Sequence, residues 1–270
     1  SPHCRGTGMI SFYFGSTDRR LFGAYHPAQG GGGNRAVLLC YPWGFEYANA
    51  HRSMVRLANL LSQAGYHALR FDYYGTGDSA GEDRDADLSG AREDIARAIG
   101  ELRELSGVET VSIIGLPLGA ALAVMTTRDM PSMVDRLVLW DPVIDGVRYM
   151  EELYDLDDSL NIPGVGSAGV FSVEDGGGRE VMGLPLTARV ASEISGVKLT
   201  TTLSGLPNET LVIVTCASSG QKGLKAYVDG TNGQSTFERI EDHAAWHEDW
   251  PDNAGVIPVS VLNRILSWMR

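Results

Sequence analysis

Short unbroken apolar runs alternate along this chain with longer stretches in which apolar residues return every three or four positions. Ala36 to Tyr41 (AVLLCY), Thr110 to Ile114, Arg136 to Trp140 (RLVLW) and Thr210 to Thr215 (TLVIVT) are runs of the first kind. Such runs are expected of strands buried on both faces. His67 to Tyr73 (HALRFDY) predicts another strand, and Ser235 to Ile240 a sixth. Met54, Leu57, Leu60 and Leu61 lie at helical spacing, with Gly65 as the C-terminal stop. Ser89 to Leu105 places Ile95, Ala98, Ile99, Leu102 and Leu105 on one helical face. The run AALAVMTTRD after Gly119 predicts a small-residue helix, and Val261, Leu262, Ile265, Leu266 and Met269 mark an amphipathic one at the end. Ahead of these, Met9 to Tyr25 reads as two short strands around Gly15 to Asp18, and Gly30 to Gly33 as a loop. Strands alternating with helices predict an α/β fold: a mostly parallel central sheet with helices on both faces.

One stretch breaks the rhythm. Asp145 to Leu206 separates two core strands and is too long for a simple crossover. It holds an acidic helix-like piece (YMEELYDLDD), a Gly-rich piece and a second helix (TARVASEIS). The expected organisation is a tail at residues 1–8, a core at 9–144 and 207–270, and a cap at 145–206 over the C-terminal edge of the sheet. No internal repeat is visible.

Composition narrows the function classes. With 22 basic against 34 acidic residues the formal net charge is -12. An acidic chain repels phosphate backbones and anionic lipid, which argues against nucleic-acid or membrane-surface roles. No apolar run is long enough to span a bilayer and no signal-peptide core opens the sequence. The three cysteines, Cys4, Cys40 and Cys216, are odd in number and widely spaced, so they form neither a disulfide framework nor a zinc site. A cytoplasmic protein without metal or cofactor is expected, since no dinucleotide fingerprint occurs either.

In open α/β sheets, ligands bind outside the carboxyl ends of the strands. The decisive turn follows Ile114, where Gly115-Leu116-Pro117-Leu118-Gly119 leads from a strand into a small-residue helix. A strand, G-x-x-x-G and such a helix form the frame of a nucleophile elbow. Here the chain resembles the α/β-hydrolase superfamily, and within it the serine-aminopeptidase-like hydrolases found beside exosortase and specialised-metabolite genes. The matching stretches are LLCYPWGFEYANAHR, LRFDYYGTGDSAGE, IIGLPLGAALA, LVLWDPVIDG and GLPLTARVASEI. The resemblance implies an α/β-hydrolase fold with an inserted cap and a site at this elbow.

The departure from that pattern carries more weight than the match. The elbow of such a hydrolase holds Ser, Cys or Asp, and here the position is Pro117. Proline offers no attacking group. It is also locked near a φ of about -65°, whereas the elbow nucleophile sits in a strained backbone with positive φ. The turn must therefore relax, and the Leu118 amide, the expected oxyanion donor, must reorient. Gly77-Asp78-Ser79-Ala80-Gly81 matches G-x-S-x-G literally, but an acidic loop follows it rather than a packed helix, so a capped turn is the expected role.

Other groups remain for chemistry. The resemblance puts an acid after Thr215, but Cys216-Ala217-Ser218-Ser219 offers none; Asp141, after the preceding strand, is the alternative acid or else a turn cap before Pro142. His243 and His247 lie where the superfamily keeps its base, with surface-loop histidines as the plainer reading. A histidine there would exchange protons near neutrality. Glu46 follows Trp43-Gly44-Phe45 in the oxyanion-loop position. Beneath an apolar cap its pKa would rise and suit acid–base work; the plainer reading is a buried salt bridge to Arg52 or Arg70. Asp72 is expected to order the following GTG loop. Cys216 is either a displaced nucleophile or inert packing. Trp43, Phe45, Tyr74, Leu116, Leu118 and Trp246 are expected around the substrate, unless they serve as core.

Three functions compete on this reading. The first is a serine-independent enzyme acting on an acyl, ester or polyketide-like small molecule, without a covalent intermediate, through Glu46, His243, His247 and Asp141 in a lyase- or cyclase-type step. The second is a hydrolase or thioesterase with a relocated nucleophile or an activated water. The third is a non-catalytic protein that holds an intermediate such as a carrier-bound acyl chain.

Overall fold

The computed structural model describes residues 8–30, 33–160, 170–171, 177–202, 206–207, 209–215, 220–230, 235–242 and 256–270. Eight strands form the main sheet: β1 (Ile10–Ser16), β2 (Arg19–His26), β3 (Ala36–Cys40), β4 (His67–Phe71), β5 (Val111–Gly115), β6 (Val134–Trp140), β10 (Glu209–Val214) and β11 (Thr236–Arg239). Their order is β1-β2-β4-β3-β5-β6-β10-β11. The pairs from β4 to β11 are parallel, whereas β1 and β2 pair antiparallel at one end. Every side chain of β3 and β5 is buried, as a central strand covered on both faces requires.

The core helices are α1 (Phe45–Gln63), α2 (Leu88–Ser106), α3 (Pro117–Asp129), α7 (Gln221–Gly230) and α8 (Val259–Met269). Asp87 caps α2 by accepting from the Gly90 amide, and Gly107 ends it in the left-handed conformation. Gly65, at φ 88, follows the last turn of α1 as the sequence predicts. No helix among the described residues is long and apolar enough to cross a membrane.

Between β6 and β10 lie α4 (Gly146–Leu160), a three-stranded antiparallel sheet of β7 (Val170–Phe171), β8 (Gly178–Val181) and β9 (Leu184–Thr187), then α5 (Ala188–Ser195) and α6 (Leu199–Thr202). The sequence pattern shows α4 and α5 but not α6, the small sheet or α7. Strands of two to four residues are too short to display an alternation, and what makes them strands is each other. The acidic helix α4 buries Tyr149, Met150, Leu153 and Asp157. Asp157 accepts from Arg179 of β8 at 2.7 Å and from the Met182 amide at 2.8 Å, tying α4 to the small sheet.

Candidate active site

The turn after β5 is not a strained elbow. Pro117 is the first residue of α3, Leu116 is its N-cap at φ -111°, and neither has a positive φ. Proline is well suited to this first position, because its missing N–H would have no partner inside the helix. The turn is locked from both sides. Leu116 donates to Cys40 O at 3.1 Å, and Pro117 O accepts from the Val143 amide at 3.1 Å. Gly119 brings α3 against the end of β3 so closely that a Cβ there would lie 2.2 Å from Tyr41 O. Leu116, Pro117 and Leu118 are all buried. The frame of an elbow is thus retained for packing, while its backbone has relaxed into an ordinary helix start.

Glu46 is a buried carboxyl at the start of α1. Gly44, at φ 67, turns the chain from Trp43 into α1, so Glu46 falls in the first helical turn. Its side chain is fully buried. The Tyr149 hydroxyl of α4 donates to Glu46 Oε2 at 2.8 Å. Burial pushes the Glu46 pKa up to about 8; the charges of Asp141 and Glu152 act in the same direction, and the bond from Tyr149 opposes them. Tyr149 is itself held well above the usual phenol range, chiefly by burial, and so remains a donor. The expected salt bridge from Glu46 to Arg52 or Arg70 does not form. Arg70 points elsewhere, donating to His26 Nε2 at 3.2 Å and to the Tyr41 hydroxyl at 2.9 Å. Helical periodicity cannot foretell that a tyrosine of a separate segment reaches Glu46 first.

Asp141 also takes an unusual conformation, at φ 45, for which a non-glycine residue needs outside support. Support comes from the neighbouring strand: its N–H donates to Ile213 O at 2.8 Å, and its carboxylate accepts from the Thr215 amide at 2.7 Å and hydroxyl at 2.5 Å. The carboxylate thus fastens the ends of β6 and β10 together. It lies close enough to Glu46 to be felt there as a charge.

Asp72 is buried and committed. Its carboxylate accepts from the Tyr47 hydroxyl at 2.7 Å and from the Asp78 amide at 3.0 Å, which orders the Gly75–Gly77 loop. Ser79 is committed as well, donating to Asp72 O at 2.6 Å and accepting from the Phe22 amide at 2.8 Å. Its hydroxyl joins the loop after β4 to Phe22 of β2, and its proton is already donated. Tyr74 sits under the Arg19 guanidinium at 4.3 Å, and its amide donates to Asp94 at 3.0 Å.

Tyr41, Trp43, Tyr74, Leu118, Gly119 and Val190 line a cleft over the α3 N-terminus. Its cavity volume is about 20 Å3, enough for one water. Phe45 faces a second, larger cavity instead. Trp43 borders both. His243, His247, Cys216 and Trp246 lie outside the described residues. Among the described residues no group of His, Cys, Asp and Glu could hold a metal ion. Sequence reasoning missed Tyr149 and Thr215. Tyr149 shares a buried face with Met150 and Leu153, and that helical spacing was the only signal available.

Residues 47–160 match the family model described as serine aminopeptidase, S33. No curated protein matches the chain. Among solved structures, the chain is similar to Est1E from Butyrivibrio proteoclasticus, determined with ferulic acid bound, at 14% identity and a TM-score of 0.68 over 96% of this chain and 97% of that one. It is similar to an esterase of Pyrococcus furiosus at 13% identity and a TM-score of 0.67, covering 97% and 90% of the two chains. A thioesterase domain from the curacin biosynthetic pathway matches at 14% identity and a TM-score of 0.60, covering 96% and 99%.

Proposed function

We propose that this chain, which has the α/β-hydrolase fold, is an enzyme that acts on an acyl, ester or polyketide-like small molecule without forming an ester to the protein. The observation that carries this reading is the Glu46–Tyr149 pair. At neutral pH a carboxyl with a pKa of about 8 is mostly protonated. A carboxyl in that state is an acid toward a group brought against it, and a base once it has given up its proton. The Tyr149 hydroxyl, 2.8 Å away, fixes its orientation. Proton transfer of this kind suits elimination, cyclisation or C–C cleavage, steps that need an oriented acid and base and a dry site rather than a nucleophile. Pro117 at a relaxed helix start supports the same conclusion from the opposite side, since it supplies neither an attacking group nor the strained backbone that would present one.

Hydrolysis by an activated water is the second reading. The match to serine aminopeptidase, S33, and the likeness to structures named as esterases and a thioesterase domain favour it. The cleft above α3 has room for the one water this route needs.

Turnover of a panel of aryl esters, acyl thioesters and β-hydroxyacyl compounds by wild type, Glu46→Gln and Tyr149→Phe tests the proposal. Loss of turnover by a hundredfold or more in Glu46→Gln is expected, together with a displaced pH profile in Tyr149→Phe and no covalent adduct by intact-protein mass spectrometry. Undiminished turnover in both variants refutes the role of the pair. A substrate fragment attached to the chain refutes the non-covalent route. Incorporation of solvent oxygen-18 into the product, without an adduct, selects hydrolysis.

A further inference from the structure

Beside the one-water cleft lies a cavity of about 200 Å3. One wall is aromatic, formed by Trp43, Phe45 and Tyr47. Phe45 and Tyr47 flank Glu46 in sequence, so this wall and the buried carboxyl share the first turn of α1. Leu184 and Pro185 of β9 also line it. Backbone makes up much of the remainder. Gly44, Gly75 and Gly77 all line the cavity at positive φ, and a Cβ on Gly77 would lie 2.3 Å from Asp72 Oδ2. A Cβ on Gly75 would likewise lie 2.6 Å from Glu82 O, so these two glycines let the loop that borders the cavity pack closely.

Size and chemistry narrow the occupant. A cavity of about 150 Å3 holds benzene, so this one holds a single six-membered ring with a small substituent. Aromatic walls favour a ring over a flexible chain, because ring pairs gain attraction beyond the area they bury. Tyr47 offers its ring rather than its hydroxyl, which is committed to Asp72 at 2.7 Å. The polar part of the lining includes Thr76 and, at the exposed mouth, Asp83. A carboxylate in the lining of a chain with a net charge of -12 accepts from a hydroxyl and repels another carboxylate.

We propose that this cavity binds an uncharged, hydroxylated six-membered ring of the substrate, and that Ala48 and Ala86, which also line it, are small to admit the ring. The assignment of the ring to a substrate rests on the proposed function above; the binding itself does not. The test is calorimetric titration with p-cresol and with benzoate. Wild type and Glu46→Gln bind p-cresol saturably and alike, while Ala48→Phe and Ala86→Leu, which add bulk at two lining positions, bind it at least tenfold more weakly. Benzoate binds wild type at least tenfold more weakly than p-cresol does, and Asp83→Asn narrows that gap. Thermal melts confirm that each variant is folded. Absence of saturable p-cresol binding to wild type overturns the proposal. So does unchanged binding in a folded Ala48→Phe or Ala86→Leu, and so does benzoate binding as tightly as p-cresol. Since none of these measurements uses turnover, a failed Glu46 mechanism leaves them standing, and their failure leaves that mechanism standing.

Discussion

Burial of Glu46 makes stability fall as pH rises, and Glu46→Gln removes that part of the slope. In the unfolded chain this carboxyl titrates near 4.5, and in the fold at about 8. The folded state thus holds the proton more tightly. Its advantage is complete below pH 4.5 and is lost as pH climbs through about 8. A gap of about 3.5 pH units, at about 1.36 kcal/mol each, amounts to about 5 kcal/mol, of which about 4 kcal/mol is gone at pH 8. Glutamine fills the same space, accepts the same hydrogen bond from Tyr149 and cannot ionise. Urea unfolding of both proteins between about pH 5 and about pH 8 reads the difference directly. Groups that titrate identically in the two proteins cancel. The expected result is a gap that widens by several kcal/mol in favour of the glutamine variant as pH rises. Parallel stability curves would refute the reasoning, because Glu46 would then ionise as freely in the fold as in the unfolded chain.

Other variants probe the turn and the loops. Gly119→Ala places a methyl 2.2 Å from Tyr41 O and 2.6 Å from Cys40 O, backbone atoms that cannot yield cheaply; a loss of about 2 to 3 kcal/mol is expected in denaturant unfolding. Ser79→Ala removes the link between Asp72 O and the Phe22 amide. It lowers stability by about 1 to 2 kcal/mol while leaving turnover intact, and loss of turnover in a folded variant would reinstate Ser79 as a nucleophile. Pro117→Ser acquires no esterase activity and no fluorophosphonate label, because the serine enters a relaxed helix start held by Leu116 and Val143. Labelling of that variant would show that the elbow strain returns once proline is gone.

Much of this architecture is written locally. Strands such as Ala36–Cys40 and Val111–Gly115 are apolar at nearly every position because both of their faces are covered, and α2, Leu88–Ser106, spans the Ser89 to Leu105 that its apolar spacing predicts. Pro117 speaks in the same local terms: a fixed φ forbids the elbow wherever the chain goes next, and the structure has the relaxed turn. The sequence alone also places Asp141 at the end of a strand and Glu46 just after the loop that follows the first core strand. What it does not show is which groups meet. Glu46 and Tyr149 are 103 residues apart, Asp141 and Thr215 are 74, and Pro185 reaches the aromatic wall from β9. Pattern records the face a residue buries, because burial acts on each side chain separately. It does not record the partner found there, because a hydrogen bond, a raised pKa or a cavity depends on distances that exist only after distant segments have packed. The acidity of Glu46 is thus a property of the tertiary structure, while the relaxed turn at Pro117 follows from a single residue of the sequence.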